Sequence, residues 1–171
     1  MNSIFSFLGV ISSYVETLKG QMVKYENDFW LICNEKSEGS RKKALFIMGK
    51  LEEQGQRGYL PWRDSKIKDS LSELTDALKK SKYFIVVFDT DFKEDKFTIF
   101  VMETIFRLLV NSGELARLIP LVIGVKRRDV VPGYIPNFCL EFKDDWEADT
   151  KQFERLRRTI EAEVPKSMWE F

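Results

Sequence analysis

Tyr83-Phe84-Ile85-Val86-Val87-Phe88-Asp89 is an unbroken β-branched and aromatic run that closes on a polar turn, the pattern of a strand covered on both faces. After Thr90 to Asp95 the chain continues as Phe97-Thr98-Ile99-Phe100-Val101-Met102-Glu103-Thr104-Ile105-Phe106-Arg107-Leu108-Leu109-Val110, enough for about three to four turns of apolar helix. A central strand that feeds a helix implies parallel neighbours, because parallel strands need crossover connections. A single carboxylate, Glu103, interrupts this apolar segment.

The same alternation extends in both directions. Upstream, Phe29-Trp30-Leu31-Ile32-Cys33 reads as a first strand, the polar stretch Asn34 to Ser40 as a loop, and Ala44, Leu45, Ile47, Met48 and Leu51 as one helical stripe. Gly58-Tyr59-Leu60-Pro61-Trp62 reads as a short second strand, placed at a sheet edge because its proline lacks a ladder donor. Ile67, Leu71, Leu74, Ala77 and Leu78 mark the helix that delivers the chain to Tyr83. Downstream, Leu118 to Gly124 is a fourth strand beginning near Pro120, and Val130 to Pro136 is a loop or at most a helical turn. Asn137 to Phe142 is a fifth strand, and Phe153, Leu156, Ile160 and Val164 share one face of a last helix. The pattern predicts an α/β fold, a flavodoxin-like three-layer sandwich with a five-stranded parallel sheet in the order 2-1-3-4-5 and helices on both faces.

Composition narrows the chemistry. The 171 residues suit one domain, and 44% hydrophobic with 32% charged residues is a globular balance. Twenty-seven basic and 27 acidic residues cancel, so no basic excess points to nucleic acid. The chain has no histidine, which excludes Ser-His and Cys-His nucleophiles and imidazole zinc sites; no metal site is expected. Cys33 and Cys139 lie in separate strand-like runs and read as free buried thiols of a reducing compartment. Ile4, Phe7, Leu8, Ile11, Tyr14, Val15 and Leu18 recur at helical spacing without a signal-peptide layout. Residues 1–22 are therefore expected to form an amphipathic helix ahead of a domain over residues 23–171. The ending soon after the last helix points to a piece of a longer protein.

Several stretches, in order, resemble the conserved boxes of Toll/interleukin-1 receptor (TIR) domains. Asp28 to Ser37 is similar to the first box. Arg63-Asp64 resembles the second, although the usual Pro-Gly beyond it is absent from Arg63 to Asp69. Ala77 to Val87 resembles the helix-to-strand passage, Ile119-Pro120-Leu121 the Ile-Pro-Ile strand start, and Leu140-Glu141-Phe142 with Phe153 to Arg157 the third region, where Glu154 replaces a tryptophan. The tail Lys166-Ser167-Met168-Trp169 is similar to those of metazoan Toll-receptor adaptors.

The resemblance implies an innate-immune signalling scaffold that pairs with other TIR domains, homotypically or heterotypically, through the loop after the second strand: Arg63, Asp64, Ser65, Lys66, Ile67 and Lys68. Charged loops at one end of a parallel sheet are where such surfaces are built. A cytoplasmic location is expected, with membrane contact only indirect or through residues 1–20. The alternative is an NAD glycohydrolase or cyclase, because Glu103 stands at the position of the glutamate that cleaves NAD in some TIR domains. There Ser40, Arg41 and Trp62 would be the cofactor-binding residues and NAD the substrate; the scaffold reading needs no cofactor. Ile99 occupies the place of that group's tryptophan, and Glu35 the place of an arginine. A phosphotransfer receiver on the same fold has Asp89 at the end of the third strand but lacks the paired acids and the lysine it needs.

Overall fold

The computed structural model describes residue 9 and residues 25–65, 70–135 and 138–164, without the side chains of residues 70, 71, 73 and 74. The opening stretch forms strand β3, Ser81–Phe88, and helix α4, Lys96–Asn111. Around them run β1 (Asn27–Ile32), α1 (Glu38–Glu53), β2 (Gly58–Tyr59), α2 (Pro61–Asp64), α3 (Ser70–Lys80), β4 (Leu118–Ile123), α5 (Arg127–Val130), β5 (Leu140–Phe142) and α6 (Thr150–Glu161). The expected helix over residues 1–22, residue 9 apart, and the tail Lys166 to Trp169 lie outside the described residues.

The five strands form one all-parallel sheet in the order β2-β1-β3-β4-β5, the flavodoxin-like order expected. β3 is central, with Phe84 to Phe88 each under 2% exposed. Its alternating side chains enter two cores. Phe84, Val86 and Phe88 meet Ala77 of α3 and Val101, Met102, Ile105, Leu108 and Leu109 of α4. Tyr83, Ile85 and Val87 meet Ala44, Ile47, Met48 and Leu51 of α1 and Leu156 and Ile160 of α6. Four of the five α1 positions read from the sequence thus enter the core, whereas Leu45 is 44% exposed; of the stripe before β3, Ile67 and the side chains of Leu71 and Leu74 lie outside the described residues.

Three boundaries differ from the expectation for physical reasons. Pro61 does not extend β2. It takes the first position of α2, where its fixed φ suits a helix and its missing N–H costs nothing, so Trp62, Arg63 and Asp64 are helical. Pro120 sits inside β4, paired with Val86, rather than at its start. β5 pairs with β4 only from Leu121 onward, so nothing on that side needs an N–H at Pro120. β5 itself spans three residues instead of six.

Gly58 in β2 is required by close approach. A Cβ there would lie 2.2 Å from Met48 Sδ and 2.5 Å from the Phe29 ring, both in the core. The two cysteines are free, Cys33 at the end of β1 and Cys139 just before β5, separated by β3 and β4. Among the described residues no helix is long and apolar enough to cross a membrane.

Candidate functional site

The loop after β2 starts from a clamped base. Arg63 donates Nε to Asp64 Oδ1 (2.8 Å) and one terminal nitrogen to Asp64 Oδ2 (2.9 Å). Its other terminal nitrogen pairs with Glu52 at the end of α1, and the guanidinium also reaches the Gly58 carbonyl at 3.4 Å. Asp64 Oδ2 accepts the Leu60 N–H (2.8 Å), and Ser65 N–H closes the turn on the Pro61 carbonyl (3.0 Å). The Asp64 bonds, with Glu52 adding to them, hold the Arg63 pKa above its ordinary value. Arg63 and Asp64 are thus satisfied internally and shape the loop's entry. Lys66, Ile67 and Lys68 lie outside the described residues.

Trp62 sits at that entry, 37% exposed, with its indole hydrogen-bonded to the Cys33 thiol. Burial pushes this thiol up to about 12, with the Glu35 charge adding to the rise. Cys33 is therefore an inert structural thiol, and Trp62 carries the exposed aromatic surface.

The ends of β1 and β3 hold a closed polar network. Ser37 caps α1 by accepting the Ser40 N–H (3.2 Å) and donates its hydroxyl to Asp91 (2.6 Å). Ser40, fully buried, donates its hydroxyl to Asp89 Oδ2 (2.6 Å), which Lys43 also reaches (3.3 Å). Asp91 N–H returns to Asp89 Oδ1 (3.1 Å), and Asn34 holds the Asp91 carbonyl (2.6 Å). Beside them Asp95 binds Thr98 (2.7 Å) and Lys36 (3.3 Å). Burial works to raise the Asp95 pKa, yet the Thr98 and Lys36 bonds outweigh it and hold the carboxyl below its ordinary value. A helix N-terminus attracts anions; around the start of α1 the chain supplies its own carboxylates. Arg41 spends its guanidinium on the Glu35 carbonyl (3.1 Å).

Glu103 lies midway along α4, half-buried. Its one hydrogen bond among the described residues comes from the Tyr134 hydroxyl at 3.5 Å. Tyr134 also packs on Phe106 (4.8 Å between ring centres) and sits 4.0 Å from Met102 sulfur. Burial raises the Tyr134 pKa, and the Glu103 charge raises it further. Ile99 and Phe100 pack partly against the core one turn before Glu103. Phe97 and Val110 remain nearly half exposed on the same helix, where the exposed Lys96 and Arg107 share the outer surface with Glu103.

No hydrogen bond or ion pair among the described residues joins Glu103 to Ser40, Arg41 or Trp62. Ser40 and Arg41 are engaged inside the fold, and Trp62 is partly exposed with its indole against the Cys33 thiol. No cluster of three His, Cys, Asp or Glu side chains among the described residues is arranged for a metal ion. Sequence reasoning missed Tyr134 as the partner of Glu103. Its only local signal was an aromatic after Pro132-Gly133, a turn pair that fits many loops.

No protein-family model matches the sequence, and no curated protein matches it. Similarity appears in structure. The TIR domain of the Toll-related receptor TRR-2 from Hydra magnipapillata superposes with a TM-score of 0.63 at 19% identity, covering 80% of this chain and 99% of that one. A metazoan TIR-STING receptor from C. gigas, in complex with 2',3'-cGAMP, gives a TM-score of 0.63 at 19% identity over 81% of this chain; the match spans 40% of that receptor. A prokaryotic SEFIR domain gives 0.61 at 19% identity, covering 79% of this chain and 92% of that domain.

Proposed function

We propose that this chain, a TIR-like domain by its fold, acts as a signalling scaffold in innate immunity that associates with other TIR domains through the loop after β2. The observation that supports this most directly is the Arg63 clamp. Two carboxylates and a carbonyl fix the guanidinium at the loop's base, so the residues that lead into the loop are held in place with Trp62 exposed beside them. Preorganising the base of a binding loop reduces the ordering cost of association. The residues that meet the partner are then Trp62, Lys66 and Lys68, while Arg63 and Asp64 are positioning residues. Weak single contacts become effective when many copies are clustered. The outer face of α4, where Phe97 and Val110 are exposed among Lys96, Glu103 and Arg107, is a second contact surface for the same assembly.

The alternative reading, cleavage of NAD at Glu103, rests on the half-buried carboxylate beside the Tyr134 hydroxyl. Against it, Ser37, Ser40 and Lys43 around the start of α1 are engaged by the chain's own aspartates rather than held open for a pyrophosphate. One experiment separates the two. Concentrated protein, free and artificially clustered, is incubated with NAD and nicotinamide release is followed for wild type and Glu103→Ala. The scaffold reading expects no Glu103-dependent release and a loss of association in a Lys66→Glu, Lys68→Glu variant. Release that disappears in Glu103→Ala overturns the scaffold-only view, and unchanged association in the loop variant overturns the interface.

A further inference from the structure

The C-terminal ends of β4 and β5 carry opposite charges that the fold keeps apart. Gly124 N–H donates to the Phe142 carbonyl (3.3 Å), the last cross-strand tie before the two chains diverge. After β4 the chain turns onto the α4 side of the sheet, where Val130 and Ile135 enter that core. Lys126 and Arg128 stand exposed there, above an open groove of about 620 Å³ whose floor includes Val131, Pro132 and Ile135. After β5 the chain turns onto the opposite side, where Trp146 joins the α1 and α6 core and leaves Asp144, Asp145 and Glu147 exposed.

These patches keep a net charge, even with the exposed Asp129 in the basic one and the exposed Lys143 in the acidic one, in a molecule that pairs many of its other charges. Arg57, Arg117 and Arg157 each meet a carboxylate within hydrogen-bond distance. Among the described residues the Lys126 side chain has no partner, and Arg128 has only a loose pairing with its neighbour Asp129 at 3.9 Å. Asp144, Asp145 and Glu147 have no side-chain partner there either. The two segments turn onto opposite sides of the sheet, and no ion pair among the described residues joins them within one chain.

We infer that the two patches form a self-complementary surface for a second copy of this chain, meeting end to end at the C-terminal ends of β4 and β5. A two-fold axis in the plane of the sheet, perpendicular to the strands, exchanges its two sides. It therefore lays each Lys126 and Arg128 segment on the partner's Asp144 to Glu147 turn, twice per dimer. Such an isologous arrangement is the usual form of a two-fold contact. The zero net charge of the chain removes long-range repulsion between copies, and the exposed Tyr134 and Phe138, near in sequence to the groove, add apolar area. This surface lies at the opposite edge of the sheet from the loop after β2 and uses none of its residues. A copy can hold one partner through each.

Charge exchange tests it. Self-association of the full chain is measured by sedimentation velocity for wild type, for Lys126→Glu with Arg128→Glu, and for Asp144→Lys with Asp145→Lys and Glu147→Lys, with melting curves confirming that each is folded. Wild-type association should weaken on raising salt from about 0.05 M to 0.5 M, because the screening length falls below 10 Å. Each variant alone should dissociate roughly tenfold more readily. An equimolar mixture of the two, in which both patches of one variant are net acidic and both patches of the other net basic, should recover wild-type association. Failure of the mixture to recover it overturns the proposal, as does wild-type association indifferent to salt and to both variants. Weakening by the basic-patch reversal alone, without recovery on mixing, assigns the groove to a different anionic partner and equally overturns the second copy.

Discussion

Arg63 of α2 is bound to Glu52 of α1, eleven residues earlier in the chain, so the entry of the loop after β2 is fastened to the helix whose core Leu60 also joins. The placement of α2, from which that loop departs, therefore depends on α1 as well as on its own residues.

Replacing Glu52 with alanine should leave global stability within about 1 kcal/mol of wild type, since partly exposed ion pairs contribute little. It should nevertheless loosen the loop. Limited proteolysis after the loop's lysines reads this directly, with cleavage several-fold faster in Glu52→Ala. Unchanged cleavage would show that the Asp64 and Gly58 bonds alone hold the base.

Ser40→Ala removes a fully buried hydroxyl from Asp89 and leaves that carboxylate with fewer donors. The expected loss is about 1–3 kcal/mol in urea unfolding. Ser37→Ala, which removes the α1 cap as well as a bond to Asp91, should cost about 1–2 kcal/mol. If Ser40 instead serves only to hold a ligand, its alanine variant will unfold like wild type.

Arg117 is buried over the Phe84 and Tyr25 rings and donates to the Ser81 and Lys82 carbonyls while pairing with Glu114. Lysine keeps the charge but loses the planar fork. Arg117→Lys should therefore destabilise by about 2 kcal/mol, visible as a lower urea midpoint with an unchanged slope.

The Asp95 carboxyl is held below its ordinary value of 3.8. A depressed carboxylate contributes stability that is fully present above the unfolded pKa and lost as pH falls through the folded one. Melting temperatures between pH 6 and pH 2 should show wild type losing this contribution below about pH 4. Asp95→Asn should start lower and fall less steeply over the same range. Parallel curves for the two proteins would remove Asp95 from the acid response.

The elements that carried a periodicity were legible in the chain. β3 and α4 lie within two residues of where their apolar runs place them, and β2 stands at the sheet edge as expected, although the proline that suggested it belongs to α2. What escaped was decided by partners distant in sequence. Ser40 and Asp89 lie 49 residues apart, and nothing local distinguishes a serine that greets a phosphate from one that binds the chain's own aspartate. Tyr134 and Glu103 are 31 residues apart and meet only because the segment after β4 folds back onto α4. Pro61 was read as a strand residue because a run of apolar neighbours surrounds it, while its fit to a helix start depends on Asp64 accepting the Leu60 N–H.

The two outermost strands are among the shortest elements of the fold, two residues in β2 and three in β5. A sheet with such stunted margins offers almost no row of free backbone groups for another strand to zip onto. Copies of this chain are thereby steered away from edge-to-edge fibre growth, the irreversible route by which crowded sheets aggregate. Contacts made instead through side chains at loops, helix faces and strand ends can come apart on dilution, so copies of the chain can meet without locking into a fibre.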